Sequence, residues 1–195
     1  MALITMPSTP AFVKSRWSMV RAVASSKSPF TGHEQVYSYD MACWQATMTL
    51  PPMKRAQAGA WQAFFMLLKG RANTFLLGDP DGKNPEGSVT NALTSSAGAI
   101  GATTINLATN GTFKAGDYIQ FGSGATSQLH MILEDESSLT PTINFEPALK
   151  VAVASFAQTQ VTGAKCVMRM DSNDLGWDAD HVSKYGFSFS CTEAL

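Results

Sequence analysis

A chain of 195 residues is long enough to bury a sizeable core without disulfides or a structural metal. Only 15% of the residues are charged, against about 25% in ordinary globular domains, and 14 Lys and Arg nearly cancel 15 Asp and Glu. There is no basic excess to neutralise phosphates, which excludes sequence-independent nucleic-acid binding, and no apolar run approaches the roughly 20 residues of a membrane span.

The surface must be built largely of uncharged residues, a poor choice for a monomer that relies on charge for solubility. The stretch from Met1 to Pro10 holds two prolines and lacks a basic start followed by an apolar block, so no secretory signal is read and synthesis in a cytoplasm is expected. Cys43, Cys166 and Cys191 are three in number, with no CxxC spacing, and read as buried, inert thiols rather than a disulfide framework or a zinc site.

In chain order, Ser18 to Ala24 and Gln35 to Tyr39 read as short strands around the turn-like Ser28-Pro29-Phe30-Thr31-Gly32. Trp44, Ala46, Met48 and Leu50 then alternate with polar residues, the period of a half-buried strand, and a β-meander is the simplest arrangement of the three. Pro51-Pro52 stops the ladder and suits the first turn of a helix. Trp61, Phe64, Phe65 and Leu68 fall at i, i+3, i+4 and i+7, one apolar stripe that must lie on a sheet, and Gly70 supplies the stop. Asn73 to Leu77 is the next strand, closed by the turn formers Gly78 to Gly82.

From Ser88 to Thr162 the composition shifts to Ser, Thr, Gly and Ala, with short strands predicted at Thr104 to Leu107, Asp117 to Phe121, Gln128 to Leu133, Thr142 to Phe145 and Val151 to Phe156. Glu134-Asp135-Glu136 reads as a solvated loop. Large residues return in Lys165 to Met170 and in Tyr185, Phe187, Phe189 and Cys191, which alternate with small ones. The expected architecture is mainly β (α+β): a β-sandwich with one packed amphipathic helix over 1–87 and 163–195, plus an inserted small all-β, barrel-like module over 88–162.

Each catalytic or ligand motif fails for a physical reason. Gly78 to Lys83 has the flavour of a phosphate-binding loop, but only three residues separate Gly78 from Gly82, Asn84 stands where the magnesium-binding hydroxyl belongs, and Asp79 and Asp81 repel phosphate. Asp171, Asn173 and Gly176 fall at calcium-loop positions one, three and six, yet Leu175 occupies position five and Val182 position twelve. His33, His130 and His181 are scattered, no GxSxG elbow exists, and adjacent acids on the 134–136 loop do not face each other across a substrate. No catalytic, cofactor or metal residue is assigned, and a non-enzymatic role is expected.

The blocks Ser28 to Gly32, Trp44 to Met53, Ala60 to Phe65 and Gly70 to Pro80 together resemble the distal tail proteins of long-tailed bacteriophages and, more loosely, the minor tail proteins of lambda-like phages. The order strand, Pro-Pro, amphipathic helix, strand, Asp-Pro carries the resemblance, over about Ser15 to Gly87 and, more weakly, Tyr185 to Cys191. It implies a belt domain that forms a ring, typically a hexamer, at the end of the tail tube, with the tube, the hub and receptor-binding proteins or fibres as partners and the virion tail tip as location. The 88–162 module fits the outward-projecting extra domain many members carry. Another tail-tip component, a minor tail or hub adaptor protein, is the alternative. A carbohydrate-binding β-module, suggested by Trp17, Trp44, Trp61 and Trp177, belongs to a separate class.

Overall fold

The computed structural model describes residues 1–91, 93–174, 176–179 and 184–195. The first half of the chain forms strands β1 (Leu3–Ile4), β2 (Lys14–Lys27), β3 (Glu34–Thr49), β4 (Met53–Lys54), helix α1 (Arg55–Leu68), and strands β5 (Thr74–Leu77), β6 (Leu93–Ser95) and β7 (Thr104–Ala108). The second half adds β8 (Tyr118–Phe121), β9 (Gln128–Ile132), β10 (Thr142–Glu146), β11 (Gln158–Thr159), β12 (Cys166–Met170), β13 (Asp178–Ala179), β14 (Lys184–Gly186) and β15 (Ser188–Glu193). The fold is mainly β with one helix among the described residues, as the periodicities require.

Six strands form the first sheet in the order β1-β5-β12-β15-β3-β2. The C-terminal strand β15 lies between β3 and β12, with Cys191 opposite both Ala46 and Met170. A simple meander is therefore ruled out: β2 and β3 form a hairpin, but the next neighbour of β3 comes from the far end of the chain. Period-two alternation delivers Trp44, Ala46 and Met48 of β3, and Phe189 and Cys191 of β15, to one buried face. Helix α1 lays Ala58, Trp61, Phe64, Phe65 and Leu68 on this core. Aromatic rings interlock there, with Phe64 on Phe75 at 5.4 Å and Phe65 on Phe189 at 5.4 Å. Each such side chain contributes on the order of 1.5–3 kcal/mol by leaving water.

The helix ends differ in detail from the sequence expectation. Pro51-Pro52 does not open the helix, because Met53 and Lys54 first pair with Tyr185 and Lys184 as an edge of the small sheet β13-β14-β4. At the other end Lys69, before Gly70, already takes the left-handed conformation with φ 50° and bonds back to the Met66 carbonyl. Asn73 completes the stop: its side-chain amide donates to the Leu67 carbonyl and its backbone N–H to that of Leu68. These are the carbonyls a helix end leaves without partners.

The second sheet, β11-β6-β7-β10-β9-β8, curls until its ends meet. Gln120 and Gln160 exchange both backbone hydrogen bonds, at 2.7 and 3.1 Å, so a single bridge joins β8 to the residue just past β11 and the sheet is a nearly closed barrel. Closure removes the open edges that a small sheet would otherwise expose. Ile105, Leu107, Ile119, Phe121, Ile143 and Phe145 fill the interior. Val151 to Phe156 is not a strand: Val153 makes a single bridge to Gly98, and the pairing falls instead on the polar Gln158–Thr159. Tyr185 to Cys191 is likewise divided at Phe187, which separates β14 in the small sheet from β15 in the large one.

The barrel leans on the first sheet through specific groups. Tyr118 and Leu129 belong to the first core, and the Trp44 indole N–H donates to the Leu129 carbonyl at 2.8 Å. The Lys150 ammonium, carried on a barrel loop, meets the Glu193 carboxylate of β15 at 2.6 Å. That carboxylate is 1% exposed and also accepts the Trp44 backbone N–H.

Candidate assembly surface

Neither β2 nor β3 contains a proline or a glycine, so nothing stops the pair from running on past the sheet. Pairing is continuous from Lys14↔Thr49 to Arg21↔Ala42, shifts at a bulge between Arg21 and Val23, and resumes from Val23↔Ser38 to Lys27↔Glu34. The residues beyond the bulge have no covering layer and form an arm of five further pairs, about 17 Å at 3.4 Å per residue, before the turn.

The turn is built by Ser28. Its hydroxyl accepts the backbone N–H groups of Phe30 and Thr31, its carbonyl accepts that of Gly32, and its own N–H donates to the His33 carbonyl. Gly32, at φ +71°, supplies the left-handed residue the reversal needs. The result fixes Phe30 outward at 95% exposure. Along the arm Val23, Val36, Tyr37, Tyr39 and Met41 are also exposed, with Tyr37 and Tyr39 edge to face at 4.9 Å. Tyr37 lies opposite Ala24 on one face, and Val23 lies opposite Ser38 on the other, so both faces of the ribbon carry apolar groups to solvent. At its root an Arg21–Glu146 ion pair of 3.1 Å ties the arm to β10.

A two-stranded ribbon is marginal in water without a third strand or an opposing layer. The arm thus carries a run of exposed apolar groups on both faces. Sequence reasoning placed short strands at Ser18 to Ala24 and Gln35 to Tyr39 but ended the first at the start of the arm and separated the second from Trp44 to Leu50, most of which belongs with it to the one strand β3. The signal available was the uninterrupted run from Glu34 to Thr49.

The motifs singled out in the sequence lie apart from one another. Gly78 to Lys83 forms a turn in which Asp79 accepts the Tyr118 hydroxyl at 3.2 Å and the Asp81 N–H. Burial and the adjacent Asp79 carboxylate push the Tyr118 phenol well above its ordinary range. In the acidic segment after β12, Asp171 accepts the Thr192 hydroxyl and Asn173 accepts the Arg71 N–H, while Leu175 and Val182 lie outside the described residues. Asp135 pairs with Lys114, and Glu134 accepts from Asn144. His33 is exposed beside the arm turn, His130 is buried in the barrel between Phe121 and Phe145, and His181 lies outside the described residues. Among the described residues no group of three His, Cys, Asp or Glu side chains is placed to hold a metal ion.

Trp44 and Trp61 are buried and Trp17 packs edge to face on Trp44 at 6.1 Å, which leaves only Trp177 as a substantially exposed tryptophan. Cys166 and Cys191 are buried in the first core and Cys43 is half-buried. Burial pushes the Cys191 thiol up to about 12 and raises Cys166 well above its usual range, so neither forms a thiolate near neutrality. Among the described residues no helix is long and apolar enough to cross a membrane. Neither a protein-family model nor a curated protein matches the chain.

Proposed function

We propose that this chain is a structural component of a phage tail tip, whose copies join side by side into a ring between the tail tube and the hub with its receptor-binding proteins. The observation that carries the reading is the arm: a built ribbon with exposed apolar groups on both faces and no covering layer among the described residues. Its exposed residues supply an interface, and a charge-poor composition suits a surface buried against neighbours rather than dispersed in solvent. An arm that leaves one edge of the sheet makes a heterologous contact, the kind that closes into rings. The resemblance to distal tail proteins over about Ser15 to Gly87 and, more weakly, Tyr185 to Cys191 supports a virion tail tip as the setting of this assembly.

Two measurements test the reading. Sizing chromatography with mass detection, followed by electron microscopy, is expected to find ring-shaped oligomers at micromolar concentration. Replacing residues 24–37 by a two-residue Asn-Gly turn is expected to leave the cooperative melt in place and convert the assembly to monomers. A wild-type chain that stays monomeric and binds glycans overturns the proposal in favour of a carbohydrate-binding module.

A further inference from the structure

Beside the β1–β5 edge of the first sheet lies a cavity of about 230 Å³, walled chiefly by Met6, Pro10, Phe12, Leu77, Pro80 and Ala164. Phe12 is held at its base by edge-on contacts with Trp61 at 5.8 Å and Phe189 at 6.2 Å. A cavity of about 150 Å³ with apolar walls already accepts a benzene ring, so one aromatic side chain fits here with room for adjustment. Phe12 of the cavity wall precedes β2 by two residues, so the cavity lies near the N-terminal end of β2, whereas the arm leaves from its C-terminal end. β2 runs extended from Lys14 to Lys27 at about 3.4 Å per residue, which carries the arm turn roughly 44 Å from that end. The arm tip of a chain therefore does not reach that chain's own cavity.

Resting on the ring reading, we infer that the tip of the arm docks in the neighbouring copy, with Phe30 seated in the cavity beside β1 and β5. Three features of the two surfaces match. Phe30 is the most exposed large apolar residue described, and it is presented on a turn that Ser28 holds in one conformation. The cavity offers aromatic and aliphatic walls without a bulky occupant from its own chain. Its rim carries Lys83 and Lys165, whose ammonium groups have no ionic partner among the described residues, while Asp79 is engaged by Tyr118 and Asp81. On the arm Glu34, the first residue of β3, is an exposed acid with no ion pair among the described residues, facing Lys27 across the ribbon. A seated Phe30 brings Glu34 to a basic rim. Repeated from copy to copy, an edge-to-edge contact of this kind is heterologous and closes only as a ring.

Phe30→Asp alters a solvent-exposed side chain and is expected to leave the melting temperature unchanged. It is expected to raise the concentration at which half the chains are assembled roughly thirtyfold, the effect of losing a buried aromatic anchor. Site-directed cross-linking locates the contact. In a Cys43→Ser background, Phe30→Cys combined with Lys83→Cys is expected to give an oxidation-dependent ladder of dimers and higher oligomers, whereas Phe30→Cys with Ser137→Cys on the barrel gives none. Rings that form normally with Phe30→Asp and yield no 30–83 ladder overturn the docking while leaving the ring reading intact. A wild-type chain that is monomeric at every concentration overturns both.

Discussion

His130 shows how much one buried side chain sets. Its Nδ1 lies 2.6 Å from the Pro147 carbonyl, an atom that only accepts, so Nδ1 carries the proton and Nε2 is the bare nitrogen, buried without a partner. Burial lowers the imidazole to about 4, against the opposing effect of the Pro147 bond and with a smaller contribution from the Lys150 charge. The unfolded chain, near 6.5, binds the proton first. Neutral His130 therefore supports the fold fully above about pH 6.5, and that support is lost as the pH falls toward 4, by up to about 3 kcal/mol. His130→Gln keeps an N–H donor and cannot titrate. Chemical denaturation at a series of pH values is expected to show a shallower acid slope for the variant between 6.5 and 4, and identical slopes refute the assignment.

At the scale of elements, the helix and the arm mark the two extremes of legibility. The stripe Trp61, Phe64, Phe65, Leu68 was readable because a helix buried on one side writes its period into the sequence. Phe64 is 2% exposed, so Phe64→Asp removes an aromatic worth about 3–5 kcal/mol and buries an unpaired carboxylate as well. Together these rival a total stability of about 5–15 kcal/mol, and loss of the cooperative thermal transition is expected. The arm wrote no such period. Wet on both faces, its strands carry Val, Tyr and Ser with no inside to alternate against, and only the lack of breakers betrayed their length. In the barrel, Val151 and Val153 imitated a strand, whereas the real pair Gln158–Thr159 is polar because it lies at the closing seam and one of its side chains faces solvent. Short pairings fixed by closure leave no local signature.

At the scale of the whole molecule, strands from 3–77 and 166–193 make up the first sheet and the small one, and strands from 93–159 make up the second, so the chain has two strand groups. What composition did not disclose is how firmly the two are joined. Removing Ser88 to Thr162 in favour of a Gly/Ser linker would take Tyr118 and Leu129 from the first core, the acceptor from the Trp44 indole and the cation from buried Glu193. An uncompensated buried charge alone costs about 3–5 kcal/mol. The deletion is therefore expected to aggregate or melt far below the full chain in calorimetry, and a deletion protein as stable as its parent would show these contacts to be idle.

The bulge between Arg21 and Val23 carries a consequence at this scale as well. Between the Arg21↔Ala42 and Val23↔Ser38 pairs β2 spends one residue and β3 three, an irregularity that bends and further twists the ribbon where it leaves the sheet, and the Arg21–Glu146 pair holds that root against the barrel. In a ring joined through the arm, the direction of departure is the rotation from one copy to the next. Two extra residues on β3, acting as a protractor, would then decide how many copies complete the circle and how wide a channel they enclose.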